Sequence, residues 1–262
     1  MAADFAGKVV VVTGGSRGIG RAIALAFARE GAATVLAASS EQNLTAASEL
    51  IVRAGGSAPL AVAGDLRTLA ACEALHRRVQ ERHGRCDILV NCAGATRGGD
   101  YLALADEAWQ DGFALKFFAC VRLSRLFWPL LKEAQGHVVN IIGSAARTPD
   151  PLFLIGGSVN AAMNNFSKGL AALGKRDGVN VNAILPGIIE TERFHQRLEQ
   201  NAAAQGISKD QERARLLAKD DVRRFGQPDD VSALALFLCR EDARHIQGTA
   251  IAVDGGATTG LF

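Results

Sequence analysis

The sequence predicts a doubly wound α/β fold, a parallel sheet with helices on both faces. Three observations carry that prediction. Short apolar, β-branched runs alternate with longer stretches of helical periodicity along nearly the whole chain. Nearly every apolar run ends in glycine or a small polar residue. No linker, repeat or low-complexity segment breaks the alternation, so residues 1–262 read as a single domain.

The first unit is the clearest. Residues 8–12 form an apolar run of strand length, and Thr13-Gly-Gly-Ser-Arg-Gly-Ile-Gly20 follows. Residues 21–30 then carry apolar positions at helical spacing and stop at Gly31. Strands are predicted over 34–38, 57–63 and 86–91, separated by helices over 41–54 and 68–83. A long helix over 106–131 leads to a strand over 136–142. A helix over 158–173 and a strand over 179–185 follow, stopped by Pro186-Gly187. The segment 188–227 differs: it is polar, charge-rich and helical, and long enough to fold over a site as a lid. A helix over 229–238 and a strand over 249–253 close the pattern.

Composition excludes several classes. The net charge is +2, with Lys and Arg spread along the chain, so nucleic acid is not the expected partner. No apolar run is long enough for a bilayer span, and the first five residues do not read as a signal peptide. Five cysteines, at 72, 86, 92, 120 and 239, lack metal-ligand spacing and read as free thiols in a reducing cytoplasm, with no metal site expected.

A glycine turn between a buried strand and a helix lets backbone amides approach a phosphate. The helix N-terminus adds unpaired N–H donors and a partial positive charge. In a doubly wound sheet, ligands bind beyond the C-terminal strand ends, where this sequence places its glycine and polar residues.

Six motifs then fall in order: Thr13-Gly-x-x-x-Gly18-Ile-Gly20, Asp65-Leu66, Asn91-Cys-Ala-Gly94, Asn140-Ile-Ile-Gly-Ser144, Pro186-Gly187 and Asp254-Gly255-Gly256. Together they resemble the short-chain dehydrogenase/reductase family over nearly the whole chain. The resemblance implies one Rossmann-type domain with about seven parallel strands, a nicotinamide cofactor, a small-molecule substrate and a homodimer or homotetramer. It also implies cofactor contacts. The loop with Gly14, Ser16, Arg17, Gly18, Ile19 and Gly20 would hold the pyrophosphate. Asp65 and Leu66 would face the adenine. Asn91, Ala93 and Gly94 would line the adenosine side and brace the sheet. Pro186, Gly187, Ile189 and Thr191 would meet the nicotinamide end. Asp254-Gly255-Gly256 reads as a turn that stabilises the fold.

A carboxylate at the end of the second strand would bond the ribose 2′-OH and repel a 2′-phosphate. That position is Ala38, followed by Ser39 and Ser40, with no acid before Glu41. Two hydroxyls and the Arg17 guanidinium suit a phosphate, so NADP(H) is favoured over NAD(H).

The catalytic pattern departs from the family. Its members use a Tyr as general acid/base, a Lys four residues later, a Ser on the preceding strand end and an Asn on the long helix. Ser144 matches the Ser. Gly156 stands where Tyr is expected, Asn160 where Lys is expected, and Lys116 where Asn is expected. Lys and Asn have changed places, and the chain's one Tyr, Tyr101, lies in another loop. One reading has the Lys116 ammonium reaching the site from the other helix, holding the ribose or donating a proton, with Asn160 bonding the ribose and a water or substrate group filling the space beside Gly156. The other has Lys116 as a snorkelling helix residue. His195 in the lid and Tyr101 are further candidates, and the apolar stretch at 152–155 points to an apolar substrate.

The leading expectation is therefore an NAD(P)-dependent oxidoreductase acting on a carbonyl/alcohol pair. The alternative is a nucleotide-binding protein without dehydrogenase activity, in a sensor, regulatory or non-redox role.

Overall fold

The computed structural model describes residues 4–259. Seven parallel strands lie in the order β3-β2-β1-β4-β5-β6-β7. They are β1 (Val9–Thr13), β2 (Ala33–Ala38), β3 (Leu60–Ala63), β4 (Ile88–Asn91), β5 (His137–Ile141), β6 (Asn180–Pro186) and β7 (Ala250–Val253). Helices α1 (Gly18–Arg29), α2 (Glu41–Arg53) and α3 (Leu69–His83) follow the first three strands.

A strand covered on both faces must be apolar throughout, and β1 reads Val-Val-Val-Val-Thr with every residue buried. Successive side chains point to opposite faces. Val10 and Val12 pack with Ile23 and Phe27 of α1, while Val9 and Val11 pack with Leu75 of α3 and Phe127. The strand order reverses between β1 and β4, which opens a crevice beyond their C-terminal ends. There the buried Thr13 Oγ1 accepts hydrogen bonds from the Cys92 and Ala93 amides, each 3.0 Å, and fastens the tip of β1 to the chain leaving β4.

The long helix is interrupted. After α4 (Asp106–Gly112), residues Phe113–Phe118 wind as a π-helix before α5 (Ala119–Glu133) continues. Such wide turns inside α-helices are frequent at functional sites. Lys116 lies in this turn. Helix α6 (Leu154–Asp177) begins four residues earlier than the periodicity predicts, so Gly156 lies in its first turn and Asn160 in its second. Its N-cap residue, Phe153, makes no side-chain capping bond, so the start carries no Ser/Thr/Asp signature.

The segment 188–227 holds α7 (Glu192–Gln205), capped by Thr191, and α8 (Lys209–Asp220), opened by a Ser208/Gln211 capping box. Phe194, Leu198 and Phe225 form a small apolar cluster of their own there. An isolated bridge between Ile189 and Gly226 ties the two ends of the segment together ahead of α9 (Pro228–Leu238).

Candidate active site

The glycine loop is shaped by contacts that a side chain would forbid. A Cβ at Gly20 would stand 2.3 Å from the Gly14 carbonyl oxygen, and one at Gly14 would stand 3.1 Å from the Ala93 backbone. Gly14 and Gly18 also have φ of +66° and +52°, the left-handed region. Ser40, Thr68, Thr191 and Ser208 cap α2, α3, α7 and α8 with their side chains. At α1 the N-cap residue is Arg17, no side chain caps, and no acid occupies the first turn. The Glu192 carboxylate faces the Gly18 amide from α7, and the remaining first amides of α1 are left for an outside acceptor, a cradle that a pyrophosphate fits.

The other positions expected around the dinucleotide divide by what faces the crevice. Ser39 is exposed, and the Ser40 hydroxyl accepts from the Asn43 amide while keeping its own hydrogen for a phosphate. Asp65 is exposed and paired with Arg67 at 3.0 Å. Leu66 buries its side chain among Cys72 and Leu75, which leaves its main chain for an adenine. Asn91 is buried: its Nδ2 donates to Asn140 Oδ1 at 2.9 Å, and Asn140 Nδ2 donates to Ser167 Oγ at 2.8 Å. That chain ties β4 to β5 and α6. Pro186 is buried at the end of β6, and Gly187 packs so closely on Asp254 that a Cβ would stand 2.8 Å from the aspartate Cβ. The Asp254 carboxylate accepts from the Gly256 and Thr258 amides, a turn closed on itself. Ile189 also buries its side chain. Its neighbours Ile188 and Glu190 bond Gly226, which turns the Ile189 amide and carbonyl the other way.

The departures at 116 and 160 meet. Lys116 Nζ donates to Asn160 Oδ1 at 2.6 Å and to the Ile142 carbonyl. An ammonium has three N–H donors, so one remains. The stem of Lys116 runs over Gly94, where a Cβ would stand 2.9 Å from Lys116 Cδ. Gly143, at φ +143°, passes Asn160 just as closely: a Cβ there would stand 2.8 Å from Asn160 Nδ2. Both glycines therefore serve the same pair. Ser144 follows Gly143, and among the described residues its hydroxyl has no hydrogen-bond partner. Lys116 is pushed down to about 8, chiefly by burial and also by the neighbouring Arg193, with the Cys92 and Cys120 thiols acting in the opposite direction. Those thiols are themselves pushed up to about 12 by burial.

One expectation fails. The space beside Gly156 is not open to water or substrate: the Phe153 ring fills it, with Cε1 2.0 Å from where a Gly156 Cβ would be. The same ring reaches Gly98 on the loop after β4. The pattern of 152–155 reads as an apolar lining and periodicity starts the helix at Ser158, so this role of Phe153 is not visible in the sequence. Tyr101 is exposed and packs edge-on to Trp109, and His195 is exposed beside Phe194. His137, at the opposite end of β5 from Ser144, is pushed down to about 4 by burial. The sequence also gave no reason to single out Arg193. It lies next to the α7 N-terminus and donates to the Gly94 carbonyl at 3.0 Å.

Comparisons with known proteins agree with this architecture. A family model described as Enoyl-(Acyl carrier protein) reductase matches residues 14–258. The 3-oxoacyl-(acyl-carrier-protein) reductase FabG of Escherichia coli is 33% identical over 97% of this chain and 98% of its own length. A crystal structure of L-sorbose reductase from Gluconobacter frateurii, complexed with NADPH and L-sorbose, superposes with a TM-score of 0.95 at 33% identity, covering 100% of both chains. An actinorhodin polyketide ketoreductase solved with NADPH gives a TM-score of 0.93 at 28% identity, covering 99% of this chain and 100% of that one. The chain belongs to the short-chain dehydrogenase/reductase family.

Proposed function

From that membership we infer that the chain is an NADP(H)-dependent oxidoreductase interconverting a carbonyl and an alcohol, with Lys116 in the role that a tyrosine holds in its relatives. The bond from Lys116 Nζ to Asn160 Oδ1 carries the reading, because it brings an ammonium from the π-helical turn to the α6 position where the family resemblance places a lysine. The uncapped glycine loop, the acid-free end of β2 and the NADPH-bound reductases of the same fold support the cofactor.

A bound NADPH supplies the hydride. The free Ser144 hydroxyl donates to the substrate oxygen and orients the carbonyl. Lys116 supplies the proton that this oxygen takes up as the carbon is reduced, and becomes a neutral amine. Asn160 and the Ile142 carbonyl hold two of its N–H groups, so the third is aimed rather than free to wander. Burial makes that proton easier to give near neutral pH. The Phe153 ring keeps water out of the position beside Gly156, and 188–227 serves as the lid.

The substrate is a small molecule, and the apolar Phe153 and Leu152 favour an apolar one. Assembly as a homodimer or homotetramer is supported by exposed Phe118 and Phe237, and a cytoplasmic location by five free thiols. Among the described residues, no helix is long and apolar enough to cross a membrane.

Fluorescence titration with NADPH and NADH, followed by absorbance assays on a carbonyl panel, tests the reading. Tighter NADPH binding with turnover is expected. Binding without any turnover would leave a nucleotide-binding protein without dehydrogenase activity, and no binding would end the proposal.

A further inference from the structure

Beyond this reading, and resting on it, the geometry points to Arg193 as a lid-borne clamp for the cofactor's pyrophosphate, one that exchanges the Gly94 carbonyl for phosphate oxygens when the dinucleotide binds. Arg193 crosses the crevice. It starts on α7 and reaches the chain leaving β4, where its Nη1 donates to the Gly94 carbonyl at 3.0 Å. The two residues before it dock the start of its helix on the glycine loop and α1. The Thr191 methyl would lie 3.2 Å from a Cβ on Gly18, and Glu192 pairs with Arg21 of α1 at 2.6 Å. The guanidinium therefore hangs between the uncapped start of α1 and the strand end that Gly14 packs against.

Its charge is uncompensated. Among the described residues, neither Arg193 nor its neighbours Arg17 and Arg197 has a carboxylate within ion-pair distance, whereas the flanking Arg21 does. Lys116 adds a fourth cation on the inner side of Gly94, bonded only to neutral oxygens. Arg193 keeps an exposed face, yet partial desolvation and the repulsion of Arg17 both disfavour its charged form. A fold that gathers four like charges, two of them bonded only to neutral oxygens and none to a carboxylate among the described residues, is complementary to a polyanion. A guanidinium fork suits a bridging diphosphate better than a single carbonyl oxygen, since it donates two parallel bonds to it.

Position selects the pyrophosphate over the 2′-phosphate. Of the residues suited to the 2′-phosphate, Ser39 and Ser40 follow β2, on the far side of β1 from β4, and Arg17 stands in the glycine loop between them and Arg193. Arg193 is tied to Gly94, after β4. The carbonyl bond holds the side chain in place before binding, so little rotamer freedom is lost when the phosphate replaces it.

The test compares wild type, Arg193→Ala and Arg193→Lys by equilibrium titration with NADPH and with adenosine 2′-monophosphate, which has the 2′-phosphate and no pyrophosphate. Arg193→Ala is expected to weaken NADPH binding by about tenfold or more, the size of a lost charge-assisted bond. Affinity for adenosine 2′-monophosphate should stay within about twofold, and Arg193→Lys should recover part of the loss. NADPH should protect 188–227 from limited proteolysis in wild type and less so in Arg193→Ala. Unchanged NADPH affinity in Arg193→Ala overturns the inference alone, as does an equal loss for both nucleotides, or a loss confined to the substrate KM. Failure of wild type to bind NADPH overturns the inference together with the function it rests on.

Discussion

The two halves of the crevice are built by different means. Around β1, α1 and the end of β4, shape is set by the main chain: glycines that admit no Cβ, an uncapped helix start, and one hydroxyl from Thr13. Around Ser144, shape is set by side chains from separate elements: Lys116 from the π-helical turn, Asn160 from α6 and Phe153 from the residue that precedes α6. A main-chain site depends on residues that must stay at fixed spacing. A side-chain site depends only on where the functional atom arrives. Here an ammonium arrives from the π-helical turn, and the amide that receives it stands on α6.

That contrast can be broken at its strongest point first. Lys116→Ala should lower turnover by about 10²- to 10⁴-fold, the range of a lost general acid, and leave NADPH affinity within a few-fold. Steady-state kinetics beside equilibrium titration separates the two. Gly20→Ala should do the opposite. With a Cβ 2.3 Å from the Gly14 oxygen the loop has to open, so NADPH affinity should fall by about tenfold or more, while calorimetric melting still shows a folded protein. The smallest effect sharpens the comparison. Gly156→Tyr restores the family's residue but should restore no activity, because the new Cβ collides with the Phe153 ring, and it should cost about 1–3 kcal/mol of stability. Adding Phe153→Ala should return most of that stability in denaturant unfolding.

The same difference decides what could be read from the chain. The glycine spacing at 14, 18 and 20 announces its loop, since each glycine answers to a steric limit of the backbone. Alternating apolar runs announce the parallel sheet, because strands buried on both faces have no polar side. The exchange of Lys and Asn is visible as two departures at 116 and 160, but not their bond, which depends on the π-helical turn at Phe113–Phe118. That turn has no compositional mark. Phe153 escaped for a related reason: α6 opens without a capping side chain, so periodicity placed its start at Ser158, beyond the ring that fills the site. Arg193 looks like any arginine of a charged surface helix until its reach to Gly94 is seen.

The pH dependence of carbonyl reduction tests the role of Lys116 most directly. With Lys116 lowered to about 8 by burial, the ammonium that donates the proton prevails below that pH and is lost above it. Reduction should therefore hold a plateau below pH 8 and fall as pH rises through it. Alcohol oxidation, which needs the neutral amine, should rise over the same interval. In Lys116→Ala the residual rate should show no inflection there. A wild-type profile that stays flat from pH 6 to 10, or an inflection near 8 that survives in Lys116→Ala, would contradict the account.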